Sequence, residues 1–244
     1  MRVSGRLAAE TLSLVKRNIC EGMTTDDINT LVHEFTLKRN AVPAPLGYRG
    51  SEGTFPPFPK SCCTSINEVV CHGIPGKTKL KSGDIINVDV TSIHAQFHGD
   101  TSATFTIGKV GKDAQRVTEV AKQALQLGID QVKPGVRVGD IGAAIQEFVE
   151  REGFSVVREF VGHGIGRKFH TEPQIFHHGT RGLGIRLQPG MTFTIEPMVC
   201  VGKSDVTVDD DEWTVRTADG SLSAQWEHTI LVTETGYEIL TLEK

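Results

Sequence analysis

No stretch of this 244-residue chain reaches the roughly 18–20 uncharged apolar residues of a membrane-spanning helix. No block of Lys and Arg breaks a net charge of −4 that is spread along the sequence. The first absence predicts no interaction within a membrane, and the second argues against non-specific nucleic-acid binding, which needs clustered cations. The five cysteines (Cys20, Cys62, Cys63, Cys71, Cys200) are an odd number without CxxC spacing. That argues against a disulfide framework and against a zinc ribbon or finger. Cys71 and His72 are adjacent, and neighbours on a strand face opposite ways, so a Cys–His nucleophile is set aside. Arg2, Arg6 and Glu10 sit inside a helical pattern unlike a secretory leader. The chain reads as cytoplasmic. No long apolar stripe calls for an obligate partner, so a monomer is expected.

What is present repeats. The string "LSLVKRNICEGMTTDDINTLVHEF" from Leu12 matches "LQLGIDQVKPGVRVGDIGAAIQEF" from Leu125 at Gly22/Gly135, Asp27/Asp140, Ile28/Ile141 and Phe35/Phe148, among others, with a constant separation of 113 (35 to 148). Both read as helix, glycine turn, helix. "LKSGDIINVDV" then matches "LQPGMTFTIEP", setting Asp89 over Glu196 at a separation of 107 (89 to 196). "VCHGI" matches "VGHGI" and sets His72 over His163. Three matches in one order predict one α+β domain of two related halves, about 1–110 and 111–244, rather than a solenoid. A pseudo-twofold antiparallel sheet with helices packed on one side is the natural assembly, with a site where the halves meet.

The string "INVDVTSIHAQFHGDT" places aspartates in strands, where Val, Ile or Thr are usual. A hairpin of residues 86–92 and 97–107, turning near His94 and Ala95, would set Asp89 directly opposite Asp100. Such a pair faces solvent at a sheet edge, or else is resolved by a divalent cation or by one carboxylate holding a proton, because unpaired buried carboxylates cost several kcal/mol each. Glu196 favours the cation: it ends an apolar strand and aligns with Asp89. Glu227, in "AQWEHTILV", opens a run that would close the second hairpin as Asp100 closes the first. Four carboxylates suit divalent transition metals. In "GHGIGRKFH", His163 and His170 lie in a glycine-rich loop. His33, His94, His177 and His178 read as surface or turn residues, while His98 and His228 stand beside acids.

The strings "SINEVVCHGIP", "GDIINVDV", "FHGDTS", "GHGIGRKFHTEPQI", "GMTFTIEP" and "QWEHTILVT" resemble, in order and nearly end to end, the bacterial type I methionine aminopeptidases. The resemblance implies a pita-bread fold and two divalent metal ions (Mn, Fe, Co or Zn). It implies that Asp89 chelates one metal, that Asp100 and Glu227 bridge the pair, and that His163 and Glu196 complete the second. It further implies a metal-activated water attacking the first peptide bond, Glu196 as the proton shuttle, and His72 and His170 as hydrogen-bonding groups on the substrate. The substrates would be N-termini of nascent polypeptides with a small second residue. Cys63, Phe169 and Trp213 would line the methionine pocket, with Phe58 at its mouth. The chain departs from the family in the extra "SEGTFPP" and in Phe58, where a tyrosine is frequent, so Tyr48, Phe55 and Phe58 compete for the pocket wall. "PPFP" reads as a rigid turn. Two other readings are an Xaa-Pro aminopeptidase or prolidase on the same fold, and a binding protein that has lost catalysis.

Overall fold

The computed structural model describes residues 1–50 and 52–243. The first half runs α1 (Arg2–Asn18), α2 (Thr25–Lys38), β1 (Val42–Pro43), β2 (Cys63–Ile66), β3 (Val69–Cys71), β4 (Ile85–His94) and β5 (Phe97–Thr106). Next come α3 (Lys112–Ile129), α4 (Val138–Arg151), β6 (Ser155–Val156), β7 (Gly162–Gly164), β8 (Thr171–Ile175) and β9 (Thr192–Ile195). Six short strands complete the chain: β10 (Met198–Cys200), β11 (Val206–Val208), β12 (Val215–Thr217), β13 (Ser223–Gln225), β14 (Glu227–Val232) and β15 (Tyr237–Ile239). Among the described residues the largest sheet has nine strands in the order β1-β4-β5-β14-β9-β7-β8, with β2 on β4 and β15 on β14. Every pairing in it is antiparallel.

The same local solutions occur twice. Asp27 and Asp140 each accept the N–H three residues back, from Thr24 at 2.8 Å and Arg137 at 2.9 Å, at the starts of α2 and α4. Each satisfies an amide that the helix leaves without a partner. Gly22 and Gly135 turn the chain with φ of 86° and 87°, a region that favours glycine. Their N–H groups reach the carbonyls of Leu80 and Leu187 at 2.8 and 2.9 Å, tying each helix pair to the entry of its own hairpin. The aligned histidines differ, however. His163 lies within β7, whereas His72 follows β3 in a left-handed conformation (φ 57°).

Strand parity separates the core from the cavity. In β4, Ile86, Val88 and Val90 pack with Leu12, Val15, Ile28 and Val32 of the first helix pair. Phe193 and Ile195 of β9 and Ile230 and Val232 of β14 pack with α3 and α4. Residues between these point to the opposite face. That face carries Asp89, Asp100, Glu196 and Glu227.

The β4–β5 turn is Ala95–Gln96, both at positive φ (47° and 69°), one residue later than the sequence suggested. Asp89 therefore faces Ser102, and Thr91 faces Asp100. The two aspartates are diagonal neighbours instead of a directly opposed pair. A one-residue shift of the turn moves the partner by two positions, which preserves the face. Glu227 likewise pairs with Ser102 across β5–β14, so it occupies the counterpart of Ser102 and not that of Asp100. The β9–β14 register, continued one residue past His228 and Ile195, sets Glu196 level with Glu227.

Candidate metal centre

Strands β4, β5 and β14 carry Asp89, Asp100 and Glu227, and the residue after β9 carries Glu196, into one cavity of about 680 Å³. Asp89, Asp100, His163, Glu196 and Glu227 line it together with His72, His170, Cys63, Phe58, Phe169 and Trp213. His163 Nε2 stands 3.6 Å from Asp100 Oδ2 and 3.7 Å from Glu196 Oε1. Ligand atoms of Asp100, His163 and Glu227 lie within 4.8 Å of one another. Asp100 and Glu227 are 4% and 2% exposed. No Lys or Arg is among the described residues lining the cavity.

The electrostatics follow from that composition. Burial pushes all four carboxyls above their ordinary range, and their mutual repulsion adds to it. His163 is held neutral, its pKa pulled down to about 4 chiefly by burial. Its Nδ1–H donates to the Gly164 carbonyl at 3.1 Å, which leaves the Nε2 lone pair facing the carboxylates. Neighbouring hydroxyls and an amide orient the acids. Thr91 Oγ1 donates to Asp100 Oδ1 and Thr194 Oγ1 to Glu196 Oε1, both at 2.7 Å. Gln225 Nε2 donates to Glu196 Oε2 at 3.2 Å. Among the described residues Asp89 Oδ1 is buried without a hydrogen-bond partner. Converging oxygens, one imidazole lone pair, an orphaned carboxylate oxygen and no compensating side-chain cation fit a divalent metal.

Beside this cluster lies an aromatic wall. Tyr48 packs on Phe169 at 4.9 Å between ring centres, and Phe58 meets Trp213 edge-on at 5.3 Å. Phe58 is only 2% exposed, so it is buried in the wall rather than placed at the mouth. Phe55, 44% exposed, takes the outer position. Tyr48, Phe55 and Phe58 all line the cavity, so the three do not exclude one another. Tyr48 also supplies the phenol that position 58 lacks: its hydroxyl is 2.6 Å from His170 Nδ1. Of the "SEGTFPP" insertion, Ser51 lies outside the described residues.

Sequence reasoning passed over several contributors. Thr91 and Thr194 lie two positions from Asp89 and Glu196 on the same strand faces, a period-two signal that was there to be read. His177 gave no such signal. Far from being a surface residue, it is fully buried, and its Nε2 accepts the Glu196 N–H at 3.0 Å. Glu196 follows the end of β9, so its amide has left the sheet ladder. His98 stacks on Phe169 and bonds the Gly166 carbonyl at 2.9 Å, while His228 bonds Thr241 at 2.8 Å.

The model of metallopeptidase family M24 matches residues 1–234. The chain belongs to metallopeptidase family M24. Within that family it is 52% identical over 246 residues to the methionine aminopeptidase of Escherichia coli (strain K12), which covers 100% of this chain and 90% of the relative. The crystal structure of methionine aminopeptidase from Rickettsia prowazekii superposes with a TM-score of 0.95 at 49% identity, covering 99% of this chain and 95% of that one. The prolidase from Pyrococcus horikoshii OT3 shares the fold at a TM-score of 0.77 and 17% identity. This M24 chain thus has the pita-bread α+β fold of the methionine aminopeptidases. No helix among its described residues is long and apolar enough to cross a membrane.

Proposed function

We propose that this chain is a methionine aminopeptidase, acting as a monomer in the cytoplasm on the N-termini of nascent polypeptides whose second residue is small. The observation that carries the reading is the convergence of four carboxylates, the buried Asp100 and Glu227 among them, and His163 beside an aromatic pocket, in an M24 chain. Asp89, Asp100, His163, Glu196 and Glu227 would hold two divalent ions from among Mn, Fe, Co and Zn. When bound, such ions supply Lewis acidity and make water a nucleophile near neutral pH.

The chain's own groups do the rest. Glu196 takes the proton of the attacking water and returns it to the leaving amine. His72 and His170 are neutral, burial having drawn them down to about 4 and about 2, so each offers one N–H and one acceptor nitrogen. The Tyr48 phenol, raised to about 12 by burial, keeps its proton and donates to His170 Nδ1. His170 Nε2–H is then the donor available to a substrate carbonyl or a developing negative charge. Cys63, Phe58, Phe169 and Trp213, joined by Tyr48, offer polarizable walls to a thioether.

The test adds Mn(II) or Co(II) back to chelator-stripped protein with Met-Ala-Ser, Met-Lys-Ser and Ala-Pro-Ser. Metal-dependent release of Met from Met-Ala-Ser alone is expected. Cleavage of Ala-Pro-Ser would move the chain to its proline-directed cousins, and cleavage of none would end the enzymatic reading. Tyr48→Phe should lower kcat about tenfold (about 1.4 kcal/mol) with KM nearly unchanged, because the lost hydrogen bond orients a group used in the transition state. Steady-state kinetics on Met-Ala-Ser checks this, and an unaltered kcat would remove Tyr48 from the mechanism.

A further inference from the structure

An enzyme that removes one residue from a protein's end must leave the rest of that chain outside its pocket. The substrate therefore leaves through the cavity mouth, and the groups there touch the residues beyond the second. One side of the mouth is built by Tyr48, Phe58 and the described residues between them, 49, 50 and 52–57. The neck of this loop is closed by Gly47 N–H to the Phe58 carbonyl and Phe58 N–H to the Tyr48 carbonyl, both at 2.8 Å. Its far side is tied to the pocket, because Trp213 Nε1–H donates to the Pro56 carbonyl at 3.0 Å. The Phe55 ring lies on Trp213 at 5.3 Å between centres, yet remains 44% exposed and lines the cavity.

Gly50 explains how the ring comes to lie there. It has φ +77°, and a Cβ built on it would stand 2.6 Å from the Phe55 ring. Elsewhere on the lining, Val208 adds a second exposed apolar side chain at 55%. Thr171, Glu172 and Gln174 come from β8, the edge strand of the nine-stranded sheet.

We infer that the exposed face of Phe55, backed by Trp213, is a binding subsite for an apolar side chain at the third or fourth residue of the substrate. The inference rests on the aminopeptidase reading above and deepens it. A free aromatic face fixed in place gains by covering apolar area and loses nothing to ordering, since its partner and its backbone tether are already made. The chain then selects its substrates twice: by methionine inside the pocket, and by an apolar side chain outside it.

The experiment compares kcat/KM of the full, Mn(II)-loaded chain on Met-Ala-Ser-Ser, Met-Ala-Phe-Ser and Met-Ala-Ser-Phe. One of the two Phe peptides should exceed the Ser-Ser peptide by about fivefold to tenfold, the discrimination a modest apolar contact gives. In Phe55→Ser that ratio should fall to within about twofold of unity. Gly50→Ala, which forces the ring aside, should lower it in the same direction. Each ratio is internal to one preparation, so partial unfolding of a variant cancels. Equal rates on all three peptides in the unaltered chain, or a preference that survives both substitutions, would overturn the subsite while leaving the aminopeptidase reading intact. Failure to release Met from any peptide would overturn both.

Discussion

Glu196→Gln is expected to lower kcat on Met-Ala-Ser by at least about a thousandfold while the protein remains folded, the scale set by losing a general base. The substitution keeps the shape of the side chain and alters its charge and hydrogen-bonding sense. Glu196 Oε1 accepts from Thr194 and Oε2 from Gln225, so both oxygens are acceptors in the folded protein. An amide at this position must turn an NH2 group toward one of those donors. It also removes one of the four carboxylates proposed to hold metal, and an amide cannot take up the proton that the proposed mechanism moves from water to the leaving amine. His72→Ala provides the contrast. His72 lies across the aromatic side of the cavity, edge-on to Phe160 and Trp213 at 5.6 and 6.2 Å. Its loss should reduce the rate and leave bound metal unchanged, as read by metal analysis after dialysis. Near-normal turnover in Glu196→Gln would sink the proposed proton transfer, and loss of metal in His72→Ala would show that His72 holds the ion.

The matching helix pairs were legible because their repeats are local. Asp27 and Asp140 cap helices three residues away, and Gly22 and Gly135 turn within their own strings, so a match in sequence is a match in structure. Strand parity was legible for the same reason: Asp89 among Ile86, Val88 and Val90 must face away from the helices. Register was not, because it hangs on one turn. Ala95 and Gln96 adopt positive φ without a glycine to announce it. Long-range pairings were silent altogether. Tyr48 and His170 meet across 122 positions, and His177 reaches the Glu196 amide from a strand end that carries no apolar pattern. The same limit hid the buried place of Phe58 and the outer place of Phe55, which depend on how the loop docks on Trp213.

The chelated protein should lose stability as pH rises from about 6.5 to about 8, and saturating divalent metal should abolish that loss. Burial and mutual repulsion raise Glu196 to about 8 and Asp100 to about 7, and hold Asp89 and Glu227 well above the carboxylate range. Such groups bind more protons folded than unfolded. Their contribution is complete below about pH 4 and is lost as pH climbs through the folded values, at about 1.4 kcal/mol per pH unit for each group titrating. The buried histidines act with opposite sign. His72, His163 and His228 are drawn down to about 4, His177 to about 3 and His170 to about 2, chiefly by burial, so stability gains from them as pH rises through the ordinary 6.5. They offset part of the carboxyls' loss up to about pH 7.5, above which they are neutral in both states and the carboxyls set the slope. The partly buried Met1 amine, lowered from 8.0, opposes them weakly at the top of the window. The four acids repel one another and titrate as a set, so together they should lower Tm by several degrees between pH 6.5 and 8. Bound metal replaces those protons and favours the ionised carboxylates, so its stabilisation grows with pH over the same range. Thermal melts at pH 6.5, 7.2 and 8.0, with chelator or with Mn(II), measure both slopes. Glu227→Gln should flatten the chelated one, since it removes a raised carboxyl and relieves its neighbours. A chelated Tm that holds level or climbs across this window would mean that the four acids do not share the buried, mutually repelling environment that makes the site one for metal.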